Sequence, residues 1–201
     1  LFLRRSSQAD TLVKYLQQQG AALILVYAGD QYQNLGDNQF TIQVDNAADY
    51  VQLFDTIKQA DYALDTIVHA LDWCQPASSM ADYEDLIQGQ NFGSLSMFHL
   101  INALEKSFKN LHCKMVTLST NAHQVTGEET DLDPSRMTSL GVNKVISQEY
   151  PMIESIFIDC DVPRDTEKQV ALIYNEAIVR PHLLDHILAI RNETRYRQVL
   201  E

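Results

Sequence analysis

The chain has 201 residues, of which 45% are hydrophobic, and its formal net charge is −12. This length fits one globular domain, residues 1–201, with a full hydrophobic core. The acidic balance argues against nucleic acid and against an anionic membrane surface as partners, because binding to either depends on clustered Lys and Arg. No apolar run approaches the roughly 20 residues that span a bilayer, so we expect a cytoplasmic protein.

The N-terminal half alternates strand and helix patterns. Leu1–Leu3 predicts a short strand, and Ser6 or Ser7 caps a helix that ends at Gly20. Ala21–Tyr27 is a continuous apolar run too short for a typical helix, which favours a strand buried on both faces. The same periodicities predict three further elements: a strand at Phe40–Val44, a helix at Ala47–Gln59 and a strand at Thr66–Leu71.

The C-terminal half continues this alternation. The patterns predict a long helix, Met80–Leu104, that is bent near Gly89 and Gly93. The elements predicted after it are, in chain order, Met115–Ser119 (strand), Asn121–Pro134 (polar loop), Ser135–Glu149 (helix), Ile153–Asp159 (strand), Glu167–Val179 (helix), His186–Ile190 (strand) and Thr194–Leu200 (strand). Strands that alternate with helices throughout indicate an α/β fold. We predict a truncated Rossmann-like fold, similar to short-chain dehydrogenases, with a mainly parallel central sheet.

The residues that a nicotinamide-dependent reductase needs are missing from their expected places. A dinucleotide site uses a Gly-rich first turn so that the backbone approaches the pyrophosphate, and the matching turn, Arg4–Asp10, contains no glycine. Ser119 or Thr120 fits the place of a catalytic serine. The following helix has no tyrosine, and Leu140 stands four residues before Lys144, where the proton donor belongs. We therefore expect no catalytic residue and no cofactor.

Metal sites and disulfides are also disfavoured. Only His182 and His186 have one-turn spacing among the six histidines, and Asp159 with Asp161 is more typical of a strand end that turns into a loop. The acidic stretch from Glu128 to Asp133 is interpreted as a solvated loop. The cysteines lie far apart without Cys-x-x-Cys spacing, which indicates buried thiols at Cys74, Cys113 and Cys160.

Six segments, taken in chain order, resemble the structural subdomain of modular polyketide synthase ketoreductases. They cover most of the chain: Ile67–Asp72 (IVHALD), His99–Leu104 (HLINAL), Lys114–Glu129 (KMVTLSTNAHQVTGEE), Gly141–Pro151 (GVNKVISQEYP), Ile158–Asp161 (IDCD) and Ala189–Glu201 (AIRNETRYRQVLE). The resemblance extends to the pseudo-ketoreductase segments that flank methyltransferase domains in such synthases. One departure is Glu193, where the family often has Gly.

The resemblance implies a scaffold and not a catalyst. In that family this subdomain is a shortened Rossmann-like fold without catalytic or cofactor residues, and a second subdomain carries the Gly-rich loop and the Ser, Tyr and Lys set. We expect the chain to be no enzyme by itself. It would support an adjacent NADPH-dependent β-ketoacyl-reducing subdomain, or organise neighbouring domains such as a methyltransferase.

Two other functions stay open at this point. One is a free-standing short-chain reductase or nucleotide-binding enzyme with an unorthodox donor, Tyr150 or Tyr174. The other is an anion-binding module that uses Arg4 and Arg5 at the start of the first helix, where backbone amides and the helix dipole favour negative charge.

The C-terminal segment Ala189–Leu200 carries the predicted inter-subdomain interface. We expect an edge strand or hairpin in which apolar residues alternate with arginines, so that one face is apolar and the other basic within an acidic protein. The alternative is that the arginines guard a sheet edge against aggregation. The candidate interface residues are Arg191, Arg195 and Tyr196.

Overall fold

A computed structural model of the chain describes residues 1–75, 83–109, 111–179 and 186–198. Among these residues the strands are β1 Phe2–Leu3, β2 Leu25–Ala28, β3 Gln33–Gly36, β4 Gln39–Ile42, β5 Thr66–Ala70, β6 Cys113–Thr120, β7 Ile153–Cys160, β8 Ile187–Arg191 and β9 Thr194–Arg197. The α-helices are α1 Ser7–Gln18, α2 Ala47–Gln59, α3 Tyr83–Gln90, α4 Ser96–Ser107, α5 Met137–Glu149 and α6 Thr166–Tyr174.

The strands form one sheet in the order β3-β4-β2-β1-β5-β6-β7-β8-β9. Every neighbouring pair is parallel except β3 with β4 and β8 with β9, which are antiparallel hairpins at the two edges. The predicted α/β fold with a mainly parallel sheet is confirmed. Because the carboxyl ends of parallel strands meet at one edge, the loops after β1, β5, β6, β7 and β8 converge there.

Helix α2 shows how the local sequence defines an element. Asn46 caps the helix by accepting a hydrogen bond from the backbone N–H of Ala48 at 3.1 Å, and Lys58 in the last turn complements the helix dipole. Tyr50, Leu53, Phe54 and Ile57 repeat at helical spacing and are buried. The helix therefore has the bounds that the sequence predicts.

Apolar side chains pack on both faces of the sheet. Helices α2, α4 and α5 cover one face, with Phe54, Leu100 and Ile146 in its core. Helices α1 and α6 cover the other face, with Leu12 and Val170 in its core. A sheet that is covered on both faces explains the continuous apolar runs of the inner strands.

The predicted bend between α3 and α4 is present as a widened turn at Asn91–Leu95. Gly93 in this turn has φ −94° and ψ −105°, a non-helical conformation that breaks the helix. Such π-type turns interrupt helices often near functional sites. This turn lies beside the carboxyl-end edge of the sheet, because Gly93 contacts Asp72 there.

One element escaped prediction. The stretch between β2 and α2 contains the hairpin β3–β4, in which Asp37 and Asn38 form the turn with φ values of 48° and 59°. A two-residue turn with positive φ at both positions is the usual connection of a hairpin. Strand β2 also begins later than predicted, at Leu25. The predicted positions Val199 and Leu200 of the last strand lie outside the described residues.

Across the described ranges, no helix combines the length and apolar character needed to cross a membrane.

Candidate functional site

In doubly wound folds, ligands bind in the crevice at the carboxyl ends of the strands, where the strand order reverses. In this sheet the corresponding place is bounded by the ends of β1, β5 and β6. Two clusters of charged side chains lie along this edge. We call them the Arg136 cluster (Arg4, Asp72, Asp133 and Arg136) and the Arg191 cluster (His123, Glu129, Asp159 and Arg191).

Arg136 occupies the middle of the first cluster and is 6% exposed. Its Nη1 donates to the carbonyl oxygen of Thr120 at the end of β6, and its Nη2 donates to the carbonyl oxygen of Gln75 after β5 at 3.1 Å. Its Nε lies 3.2 Å from Asp133 Oδ2. The guanidinium therefore bridges the loops that follow two neighbouring strands.

Asp72 lies at the same edge, just after β5, and is 8% exposed. Burial raises the pKa of its carboxyl to about 6, against the opposing charges of Arg136 and Arg4. A Cβ added at Gly93 would lie 2.8 Å from Asp72 Oδ2 and 2.7 Å from Ser139 Oγ. A side chain at this point of the bent helix would therefore have to displace Asp72 and Ser139, both of which are buried.

Arg4 completes the Arg136 cluster from the first turn. Its guanidinium lies 4.3 Å from the ring centroid of Phe92, and burial lowers the pKa of the group while Asp72 opposes this. Arg5 stacks at 4.0 Å over Tyr27. Both arginines that an anion site would use are held against aromatic rings. The start of α1 is capped by Ser6, whose Oγ accepts from the N–H of Ala9 at 3.1 Å.

The positions that match the catalytic set of a short-chain reductase are buried or turned away. Ser119 and Thr120 are 0% and 1% exposed, and Thr120 Oγ1 accepts a hydrogen bond from the N–H of Cys74 at 2.7 Å. Leu140 is buried in a small apolar cluster with Phe157. Lys144 lies on the exposed side of α5.

The two tyrosines proposed as unorthodox donors lie at the opposite edge. Tyr150 follows α5 directly before β7 begins, and its hydroxyl donates to Glu105 Oε2 at 3.3 Å. Tyr174 ends α6 and packs edge-on against Tyr15 at 5.7 Å between ring centroids. Helices that connect parallel strands run back to the amino ends, so neither hydroxyl is near the carboxyl-end crevice.

The Arg191 cluster joins β7 and β8 to the loop after β6. Arg191 Nη2 lies 2.5 Å from Asp159 Oδ2, its Nε lies 3.1 Å from Glu129 Oε1, and its Nη2 donates to the carbonyl oxygen of His123 at 2.9 Å. Burial opposes ionisation of Asp159, but neighbouring His123 and the charge of Arg191 lower the pKa of this carboxyl below its usual value. The cluster holds the loop in place.

Part of this loop differs from its interpretation as solvated. The carboxylate of Glu129 accepts hydrogen bonds from the backbone N–H groups of Val125, Thr126 and Gly127, and Asp133 is 2% exposed. Glu129 binds Arg191, which is far away in sequence, and Asp133 binds Arg136 across one turn. Their charges are therefore structural, and the solvated-loop interpretation was wrong for these two residues.

The predicted interface residues are divided between two faces of the β8–β9 hairpin. Arg191 pairs with Thr194, and Ile190 pairs with Arg195 across the ladder. Directly opposite residues project to the same face, so Arg191 and Arg195 lie on opposite faces. The prediction of one basic face was wrong, because the two-residue turn at Asn192 and Glu193 reverses the alternation.

Exposure separates the three candidates further. Arg191 is 3% exposed and belongs to the buried cluster, so its side chain is not part of an outer surface. Arg195 Nε binds Glu176 Oε2 at 2.9 Å, and Tyr196 is 36% exposed on the edge strand. Arg195 and Tyr196 thus remain the candidates that a partner can touch, and their docking role remains a prediction.

Those candidate metal ligands that the structure describes are not assembled into a site. Asp161 accepts hydrogen bonds from Gln169 and the N–H of Asn192, and Asp159 is committed to Arg191. In the portion of the chain that the structure covers, no group of His, Cys, Asp and Glu side chains has the arrangement of a metal site. His182 lies outside the described residues. The three thiols are unpaired, with Cys113 and Cys160 buried and Cys74 half-buried.

Comparison with protein families adds the decisive observation. The model of the beta-ketoacyl synthase-like, N-terminal family matches residues 1–176. The chain belongs to this family. A search of curated proteins found no match to this sequence.

Several solved structures share the fold of this chain. An adenylation, ketoreductase and pseudo-Asub multidomain structure of a keto acid-selecting NRPS module has a TM-score of 0.80 at 22% identity, over 97% of this chain and 16% of that one. An N-terminal ketoreductase from the macrolactin assembly line has a TM-score of 0.72 at 16% identity, over 94% of this chain and 37% of that one. A short-chain dehydrogenase from Burkholderia cenocepacia J2315, solved in complex with NADP, has a TM-score of 0.65 at 11% identity, over 94% of this chain and 86% of that one.

The first two of these structures are much longer than this chain, which spans 16% and 37% of their lengths. The predicted resemblance to ketoreductases of assembly lines is confirmed at the level of the fold, which these two structures contain. The Arg136 cluster was missed by sequence analysis, because its members at positions 4, 72, 133 and 136 are scattered along the chain. The only local signal was Asp133 before Pro134, which is typical of a capped turn.

Proposed function

We propose that the chain is the non-catalytic structural subdomain of a polyketide synthase ketoreductase, with residues 1–201 acting as one unit. It supports the adjacent NADPH-dependent β-ketoacyl-reducing subdomain, or organises neighbouring domains such as a methyltransferase, in a cytoplasmic assembly line. The observation that carries the proposal is the Arg136 cluster, in which buried charged side chains of the chain bind each other and backbone carbonyls at the carboxyl-end edge of the sheet.

Two features of this edge of the sheet argue against nicotinamide binding. A pyrophosphate needs a glycine turn at the end of β1, and this turn holds Arg4 against Phe92. A hydride-accepting carbonyl needs a proton donor close by, and the neighbouring side chains are Asp72 and Arg136, which are tied to each other electrostatically. The alternative of an unorthodox reductase has no support from the positions of Tyr150 and Tyr174.

The β8–β9 hairpin is the proposed contact with the reductase subdomain. Strand β9 is the last in the sheet, so one row of its backbone N–H and C=O groups faces away from β8. A strand or loop of the partner can pair with this row. Arg195 and Tyr196 flank it on opposite faces, while Arg191 fixes the hairpin to the body of the subdomain.

Reconstitution tests this proposal. Separately expressed polyketide synthase reductase subdomains, with that of the macrolactin assembly line among them, are assayed for NADPH oxidation with a β-ketoacyl thioester, with and without this chain. We expect the chain alone to be inactive and to raise the melting temperature of a matching reductase subdomain. Replacing Arg195 and Tyr196 together with Ala should weaken that effect and leave the chain's own melting temperature nearly unchanged.

Lys58→Ala is a suitable control, since Lys58 is an exposed basic residue in the last turn of α2, which packs against α4 and β4 and not against the β8–β9 hairpin. NADPH oxidation by the chain alone would contradict the non-catalytic role. A double variant that stabilises the reductase subdomain as well as the parent does would contradict the role of the hairpin.

A further inference from the structure

The two edge strands of the sheet differ in charge. Strand β9 at one edge, Thr194–Arg197, contains two arginines, and charged side chains on an edge strand restrict which chains pair with it. Strand β3 at the other edge, Gln33–Gly36, contains neither a charged residue nor a proline, and all four of its residues are exposed. We call strand β3, together with the flanking residues Asp30 and Asp37, the β3 edge.

The backbone of β3 has hydrogen-bonding groups that a further strand can use. Among the described strands, β3 pairs with β4 alone. The residues of an antiparallel pair alternate, so every second residue of β3 directs its backbone N–H and C=O groups away from β4. The N–H of Gly36 is already occupied, since it donates to Asn34 Oδ1 at 3.0 Å. The groups that a partner can reach therefore lie in the part of the strand before Gly36.

Leu35 is the apolar contact point of the β3 edge. Asn34 lies opposite Phe40 and Gly36 lies opposite Gln39, so Leu35 is the extra residue of a β-bulge. Its side chain is 47% exposed. A bulge bends its strand and ends regular pairing at that point. The β3 edge therefore fits a short extended segment that carries an apolar side chain opposite Leu35.

Acidic residues surround the β3 edge. The stretch from Asp30 to Asp65 contains seven aspartates and one lysine, which gives a local net charge of −6 against −12 for the whole chain. Asp30 and Asp37 are both exposed and lie before and after β3. Positive side chains at the two ends of an added strand would lie beside these carboxylates. Charge therefore favours a basic segment as the partner of β3.

The same charges argue against a second copy of this chain as the occupant. An antiparallel pairing of β3 with β3 of another copy would place Asp37 of each copy toward Asp30 of the other. Like charges that face each other across paired strands are unfavourable. We propose that the β3 edge is a docking site that takes an extended segment of a partner protein, with basic residues at both ends, as an added strand. The site lies at the opposite edge from the β8–β9 hairpin and does not depend on the proposed function.

An NMR titration of the isotopically labelled chain with the blocked hexapeptide Lys-Val-Thr-Val-Thr-Lys tests the site. We expect saturable shifts of the amide signals of Gln33–Gly36, and slower hydrogen exchange of the β3 amides that donate to the peptide. The peptide Glu-Val-Thr-Val-Thr-Glu should bind about 10-fold more weakly, and added NaCl should weaken the binding of the lysine peptide. The peptide Lys-Val-Pro-Val-Pro-Lys keeps the charges but lacks two N–H groups, so it should not slow the exchange.

Two double variants separate the local charge from the net charge. Asp30→Asn with Asp37→Asn should weaken binding of the lysine peptide by about 3–10-fold, and Asn tolerates the left-handed φ of 48° at position 37. Glu128→Gln with Asp131→Asn is the matched control and should bind as the parent does. It removes the same charge from exposed positions in the loop after β6, and four strands separate β6 from β3.

Leu35→Lys adds the guarding charge that β3 lacks and should abolish binding of the lysine peptide. Its melting temperature should stay close to that of the parent, because Leu35 is exposed. Circular dichroism verifies that each variant is folded.

The proposal is overturned if the lysine peptide leaves the amide signals of β3 unchanged, or if the control double variant weakens binding as much as the Asp30 and Asp37 double variant. Self-association of the parent that Leu35→Lys abolishes, measured by sedimentation velocity, would assign the β3 edge to a second copy and overturn the assignment to a basic partner. None of these outcomes changes the expected results with NADPH or with a reductase subdomain, so the two proposals fail separately.

Discussion

Arg191 and Asp159 form a buried ion pair, in which Arg191 Nη2 lies 2.5 Å from Asp159 Oδ2 and the side chains are 3% and 0% exposed. The same guanidinium donates to the carbonyl oxygen of Asp159 at 2.8 Å and to that of His123 at 2.9 Å. One side chain thus joins two strand ends to the loop after β6. The stability of this edge depends on Arg191.

Arg191→Met should lower the free energy of unfolding by about 3–5 kcal/mol, because it leaves the buried Asp159 carboxylate without its partner. Urea unfolding followed by circular dichroism measures the loss. Adding Asp159→Asn to this variant should recover part of it. Arg195→Ala serves as the control, and its cost should be smaller since the Arg195 side chain is 27% exposed. Equal losses in the two single variants would contradict the structural role of Arg191.

Asp72 should make the stability depend on pH in the weakly acidic range. Its folded pKa of about 6 lies above its ordinary value of 3.8, so the folded chain holds the proton to a higher pH, and stability falls as pH rises between these values. Relative to Asp72→Asn, the wild type should lose roughly 2–3 kcal/mol between about pH 4 and pH 7. Urea unfolding at several pH values measures this difference.

Gln52→Ala, at an exposed position, is the control and should show a difference from the wild type that does not change with pH, because neither side chain ionises. A wild type that gains stability over Asp72→Asn as pH rises would mean that the Asp72 carboxylate is stabilised by its arginines and not destabilised by burial.

Two glycines in neighbouring helical segments should respond in opposite ways to alanine. Gly93→Ala places a Cβ 2.7 Å from Ser139 Oγ and 2.8 Å from Asp72 Oδ2, which should cost about 1–3 kcal/mol. Gly141→Ala meets nothing within 4 Å on an exposed helix and should gain about 0.5–1 kcal/mol. Thermal unfolding of both variants measures the two changes, and a stabilised Gly93→Ala would show that the side chains of Asp72 and Ser139 move aside without cost.

Much of the fold was predictable because its signals are local. Helix α2 has a capping Asn46 and a regular apolar face, and it occupies the predicted range Ala47–Gln59. The inner strands are apolar on both faces, which predicts the parallel sheet. Strand β3 carried no such signal, because its residues Gln33–Gly36 are exposed throughout and lack apolar alternation.

The candidate site was less predictable, because it depends on contacts between distant residues. The missing glycine turn and missing tyrosine are visible in the sequence, but the Arg136 cluster joins Arg4 to Arg136 only through the fold. The face of the hairpin from which Arg191 projects, relative to Arg195, depends on the length of the turn. A hairpin loop of two residues, Asn192 and Glu193, puts Arg191 opposite Thr194, and simple alternation along the sequence misses this reversal.

Glu193 should destabilise its own turn. Its φ is 63°, a left-handed conformation that is roughly 1–2 kcal/mol unfavourable for a residue with a Cβ atom and that glycine adopts freely. Glu193→Gly should therefore raise the free energy of unfolding by about 0.5–1 kcal/mol, as measured by urea unfolding. Lys168→Ala is the control for the exposed 3.5 Å contact between Lys168 and Glu193, which should contribute little. A destabilised Glu193→Gly variant would mean that this contact outweighs the backbone strain.

NADPH titration of the isolated chain tests the central claim most directly, with the Burkholderia cenocepacia short-chain dehydrogenase that was solved with NADP as the positive control. The fluorescence of NADPH should saturate with the control enzyme. It should show no saturable change with this chain, because the turn after β1 has no glycine and holds Arg4 against Phe92, with the buried Arg136–Asp133 pair at the same edge of the sheet. A dissociation constant in the micromolar range or below for this chain would contradict the account of a non-catalytic structural subdomain.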